Sequence, residues 1–183
     1  ALTACAEERP GRDAPAAEVQ AATPAPRPRI VVLGDSLTAG LGLPRDEAFP
    51  SHLQRRIDAA GLRYEVVNAG VSGDTSSGGR RRLDWALDGD VRILIVALGG
   101  NDGLRGVPVE ELRRNLEAIV ERAQARGVSV VLAGMEAPPN QGRDYAGAFR
   151  QVYRDLARRH RLPLVPFLLE GVAGDPAFNQ EDG

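Results

Sequence analysis

Ile30-Val31-Val32-Leu33 is a run of four aliphatic residues that ends on Gly34, and Asp35-Ser36-Leu37-Thr38-Ala39-Gly40 follow at once. Such a run suits a strand buried on both faces, which is the condition of a central strand in a parallel sheet. The glycine then lets the chain turn, so a polar Asp-Ser pair stands at the carboxyl end of that strand. In open α/β sheets ligands bind at that edge, because the loops diverge there and leave a crevice. A serine placed there can attack an acyl carbon if a base takes its proton and donors receive the oxyanion. Taken alone, the same string also reads as a strand-to-loop turn with an N-capping serine.

The rest of the chain repeats the alternation. Further strands are expected over residues 64–68, 91–98, 128–132 and 164–168, the last at a sheet edge because Pro166 has no N–H to donate to a ladder. Helices are expected over 46–60, 76–87, 108–126 and 144–160. Asp46 would cap the first, and Phe49, Leu53 and Ile57 would form its apolar stripe. Leu83 and Trp85 read as core. His52 reads as a surface residue, and His160 joins Arg158 and Arg159 in a last turn where cations complement the helix dipole. This order of elements implies a three-layer α/β fold around a parallel sheet of about five strands.

Two loops past the expected strands are rich in small and polar residues. The first, 69–79, permits close backbone approach to a ligand, and Asp74 or Thr75 can cap the helix after it. It is no phosphate loop, since there is no GxxxxGK[ST] and all 23 basic residues are arginine. The second is Gly99-Gly100-Asn101-Asp102-Gly103-Leu104-Arg105-Gly106, where the asparagine is either a turn residue or a carboxamide donor. Loop 136–142, which carries Pro138 and Pro139, lies where it can form the rim of an acyl pocket or simply connect two elements.

Gly34-Asp35-Ser36-Leu37 resembles the GDSL block of the SGNH hydrolases, a family of serine esterases and lipases, and the two loops resemble its second and third blocks in order and spacing. GGNDGLRG is similar to the bacterial thioesterase/lysophospholipase/arylesterase branch. The resemblance implies a flavodoxin-like strand order and hydrolysis of a small acyl ester or thioester without a cofactor. Ser36 is then the nucleophile, and the oxyanion hole is the N–H groups of Ser36 and Gly73 with the Asn101 side chain. Asp35 and Asp102 order their loops, while Leu104, Pro138 and Tyr145 are candidates for the substrate pocket. The fourth block of the family is Asp-x-x-His. Asp182-Gly183 matches its first half, which puts the base two positions past Gly183, with Asp182 orienting it. Neither His52 nor His160 has the spacing to replace it.

Composition narrows the alternatives. The 183 residues suit one domain, and a formal charge of -2 gives no argument for nucleic acid. One cysteine, Cys5, excludes an internal disulfide. Leu2-Thr3-Ala4-Cys5 looks like a bacterial lipobox, and residues 1–29 then form an Ala/Pro-rich tether ahead of a hydrolase domain at 30–183. That implies a protein in the cell envelope or periplasm, anchored to a membrane through a lipid on Cys5; a monomer is expected separately. A chance cysteine in a leader implies a soluble protein instead. Two rival functions remain at this level: a Mg²⁺-dependent phosphohydrolase using Asp35, Asp74, Asp102 and Asp182, and a non-catalytic envelope lipoprotein.

Overall fold

The computed structural model describes residues 26–178. Cys5, Asp182 and all but the end of the expected tether lie outside the described residues. Five strands form one sheet: β1 (Arg29–Gly34), β2 (Glu65–Gly70), β3 (Val91–Ala97), β4 (Ser129–Ala133) and β5 (Leu164–Val165). Their order is β2-β1-β3-β4-β5 and every pairing is parallel. β1 is therefore central, as its unbroken aliphatic run requires, and β5 is an edge.

The first crossover steps to one side of β1 and the later ones step to the other, so right-handed connections divide the helices between the two faces. Helix α2 (Phe49–Ala59) packs beside β2, whereas α3 (Ser76–Arg81), α6 (Val109–Ala125) and α7 (Arg143–His160) pack in series on the opposite face. Short helices α1 (Ser36–Ala39), α4 (Leu83–Ala86) and α5 (Gly100–Leu104) complete the set. In α6 the inward residues Leu112, Leu116, Ile119, Val120 and Ala123 recur at helical spacing and are buried. Glu110 and Glu111 lie in its first turn and Arg122 in its last, complementing the dipole. Those inward residues share one cluster with Leu94, Val96, Leu132, Phe149 and Leu156, all fully buried. On the other face Ile93, Ile95 and Val131 are only half-buried.

Several expected boundaries differ. Asp46 sits in a separate single 3₁₀ turn, Arg45–Glu47, and does not cap α2; Ala48 stands at that position, and Pro50 belongs to the first turn. The helix expected over 76–87 breaks at Arg82, whose backbone leaves the helical region (ψ 9°), giving α3 and α4. Leu83 is core as expected, but Trp85 is 69% exposed. With Leu83 and Ala86 turned inward three residues apart, the position between them has to face out. β2 runs two residues further than expected, and β5 is only Leu164–Val165.

Candidate active site

The carboxyl ends of β1, β2 and β3 feed three loops that converge. After β1, the buried Asp35 caps α1 by accepting from Leu37 N–H at 3.1 Å, and Gly40, in the left-handed region, closes the turn onto Ser36 O. α1 packs against β1 and β2. A Cβ on Gly34 would stand 2.9 Å from Ala97 O and run into Thr38, and one on Gly70 would stand 2.8 Å from Ala39 Cα. Ser36 is half-buried at the start of this turn.

After β2, Asp74 N–H donates to Val71 O at 3.1 Å, closing a turn whose third residue, Gly73, has φ +82°. A side chain there would be strained, so the glycine is a backbone requirement. Arg105 Nη2, from the third loop, donates to Gly73 O at 2.9 Å. After β3, Asn101 lies in the first turn of α5. Its Nδ2 donates to Asp74 O at 3.0 Å and makes a longer contact of 3.4 Å to Asp35 Oδ2. The Asn101 carboxamide thus stands between the residue before Ser36 and the residue after Gly73. Among the described residues, the N–H groups of Ser36 and Gly73 donate to no acceptor, and the Ser36 hydroxyl has no hydrogen-bond partner. Tyr153 OH donates to Leu98 O at 2.9 Å and pins the end of β3 from below.

Two carboxylates are buried beneath the loops. Burial pushes the Asp35 carboxyl above its ordinary value, against the pull of the Leu37 N–H bond. Burial does the same to Asp102, against two bonds from Ser76: the hydroxyl at 2.5 Å and the N–H at 2.8 Å. Asn115 on α6 continues that network by donating to Ser76 Oγ at 3.1 Å, and Arg80 donates to Asn115 Oδ1 at 3.3 Å. Both acids therefore hold their loops by accepting main-chain hydrogen bonds. Asp74 is paired with Arg82 at 2.6 Å. The carboxylates of Asp35, Asp74 and Asp102 are each committed elsewhere and are not gathered as ligands. Among the described residues the one trio gathered to within 4.8 Å is Glu117, Glu121 and His160, on α6 and α7. The metal reading of the aspartates is corrected accordingly.

The pocket candidates divide. Leu104 is 66% exposed beside Asn101. Pro138 and Tyr145 brace the third loop from outside: Pro138 Cδ lies 3.4 Å from where a Cβ on Gly103 would be, and Tyr145 OH donates to Val107 O at 2.7 Å. On the far side of α1 is a cavity of about 500 Å³ lined by Ala39, Arg45, Ser51, Asn68 and Gly70. Asn68 spans its floor, donating to Thr38 O at 2.8 Å and accepting from Gly70 N–H at 2.9 Å. His52 is exposed, and His160 closes α7 at the amino-terminal edge of the sheet, beside Glu117.

Sequence reasoning missed Arg82, Arg105, Asn115 and Asn68. Arg82 had a readable signal. It follows the buried Gly78 and Gly79 at helical spacing and precedes the buried Leu83, which puts it on the inward side of its helix.

The profile of the GDSL-like Lipase/Acylhydrolase family matches residues 32–183. The chain is 43% identical over 155 residues to the esterase TesA of Pseudomonas aeruginosa, covering 84% of this chain and 77% of that protein. It is 37% identical over 155 residues to thioesterase 1/protease 1/lysophospholipase L1 of Escherichia coli K12, covering 84% and 73%. Among solved structures, the SGNH-hydrolase family esterase AlinE4 superposes with a TM-score of 0.82 at 42% identity, covering 86% of this chain and 85% of that one.

Proposed function

Because the chain belongs to the GDSL-like lipase/acylhydrolase family and is a serine ester hydrolase, we propose that it cleaves small acyl esters and thioesters through Ser36. Ser36 Oγ attacks the acyl carbon as its proton passes to a histidine base. The carbonyl oxygen becomes an oxyanion, and three donors receive it: the N–H groups of Ser36 and Gly73 and the Asn101 carboxamide. When the tetrahedral species collapses, the C–O or C–S bond breaks and the leaving alcohol or thiol takes the proton back from the base. Water then repeats the sequence on the acyl-serine and releases the acid.

The observation that carries this reading is the pair of main-chain N–H groups, on Ser36 and Gly73, that donate to nothing among the described residues while Asn101 Nδ2 lies beside both loops. Preorganised donors of this kind stabilise developing charge without reorganising, and each is worth about 3 kcal/mol on the barrier. His52 and His160 lie away from the three loops, and Asp182, which the family pattern makes the partner of the base, lies outside the described residues. The names of the relatives, esterase and thioesterase/lysophospholipase, support acyl esters and thioesters as the substrate class.

The test is Ser36→Ala in the full protein, assayed on 4-nitrophenyl acetate and on a series of acyl esters and thioesters of rising chain length. Turnover should fall by about 10⁶ on every substrate, with thermal unfolding nearly unchanged. Parental turnover in that variant would overturn the assignment.

A further inference from the structure

We propose that Arg82 is a positioning residue for ester hydrolysis, its guanidinium tying the ends of β1 and β2 to the Gly73 turn and so setting the spacing between Ser36 and the oxyanion donors. The inference rests on the function proposed above. Arg82 makes three bonds to three separate segments. Nη2 donates to Gly34 O at 2.8 Å, two residues before Ser36. Nη1 donates to Ala69 O at 2.6 Å, at the end of β2. Nε pairs with Asp74 Oδ2 at 2.6 Å, one residue past Gly73. Gly34 O also accepts from Val71 N–H at 3.0 Å, so the first two loops share this carbonyl as well. The third loop is reached through Asp74, whose backbone carbonyl accepts the Asn101 carboxamide. Each group we assign to the oxyanion is therefore within two residues, or one hydrogen bond, of a residue that Arg82 holds. Arg82 itself bonds to none of those groups.

Its neighbours show that this is more than a basic surface. Arg80 turns to Asn115 and Arg81 to Ser77 one turn back on its own helix, whereas the Arg82 side chain is only 18% exposed, as is that of Asp74. Shielding from water strengthens such bonds, and the planar five-donor fork is what lets one side chain meet three acceptors in fixed directions. Lysine keeps the charge but has one nitrogen on a flexible stem, so it cannot reproduce that geometry. Displacing a reacting group by an ångström costs about 10²-fold in rate. The signature of a positioning role is therefore a fall in kcat with binding retained.

The test uses Arg82→Lys and Arg82→Ala in the full protein, with Arg122→Ala as control because it removes an exposed pair to Asp84 remote from the loops. Steady-state kinetics on 4-nitrophenyl acetate are measured alongside the rate of capture by a 4-nitrophenyl alkylphosphonate, which bonds to an activated serine and releases nitrophenolate. Arg82→Lys should lower kcat and the capture rate by about 10²-fold with KM within about threefold, while Arg122→Ala matches the parent. Millimolar guanidinium should raise kcat of Arg82→Ala by about tenfold, on the same geometric ground, and leave Ser36→Ala inactive. A loss of kcat smaller than about tenfold in Arg82→Lys, or one carried mainly by KM, overturns the proposal. If Arg82→Ala does not fold, Arg82→Lys decides alone, and a folded Arg82→Ala that ignores guanidinium counts against it. An active Ser36→Ala would instead overturn the underlying function, so the two failures are distinct.

Discussion

The layer beneath the sheet and the rim above its carboxyl edge are held together by opposite means. Below, Leu116, Ile119 and Val120 of α6 share a cluster with Leu94, Val96 and Leu132, where contact is apolar and non-directional. Above, Gly34, Asp35, Gly73, Arg82, Asn101 and Asp102 meet through hydrogen bonds to main-chain atoms. A packed apolar layer tolerates small shifts, since its energy depends mainly on area and volume. A rim of directional bonds does not, because both the hydrogen bonds and the chemistry depend on ångström-scale placement. The molecule thus separates the part that supplies stability from the part that supplies geometry, and substitutions should divide along that line.

The largest effect is expected at the rim. Asn101→Ala should lower kcat by 10²–10³-fold, about 3–4 kcal/mol on the barrier, with little change in melting temperature. Activity within threefold of the parent would erase the distinction at this residue. Leu116→Ala should do the reverse: a loss of about 3 kcal/mol in urea unfolding, with kcat unchanged at temperatures where the variant is folded. A kcat loss there would mean that the lower layer also sets the site geometry.

The smallest effect sits where the regions meet. Unfolding returns Asp102 to its ordinary value of 3.8, whereas burial raises it in the folded state. Between those two values the folded protein holds more protons than the unfolded chain, so this group's contribution to stability falls as pH rises through that window and is level above it. Asp155 and Glu117 act in the opposite sense: Gln151 and then Arg158 lower the first, chiefly Arg159 the second, and their contributions are lost as pH falls. Asp102→Asn removes only the first kind. The melting temperature of the variant relative to the parent should therefore climb as pH rises from about 4 through the mildly acidic range. A difference that stays flat with pH would mean that Asp102 titrates alike in both states.

Much of this was readable in the sequence because local pattern and tertiary role coincide. The Ile30–Leu33 run is interior to the sheet, the 3.6-residue stripe of α6 is the core, right-handed crossovers put helices on both faces, and the strand order is the flavodoxin-like one that the family resemblance implies. The three loops were legible as positions because each follows an apolar run. Their joinery was not, since a bond such as Arg82 to Gly34 O links residues 48 apart and leaves no local trace. Trp85 misled for a related reason. An aromatic near Leu83 reads as core by composition, but two residues on in the same helix it falls on the opposite side from the buried Leu83.

The absence of side chains at Gly34 and Gly70 has a practical consequence for anyone remodelling this protein. Those two strand ends set how closely α1 sits on the sheet: a first added carbon at Gly34 would run into Thr38, and one at Gly70 into the backbone of Ala39. A library meant to widen substrate scope should leave both positions untouched. It should spend its diversity on residues 41–47, where Leu41 and Leu43 already face solvent and can change shape without lifting the nucleophile.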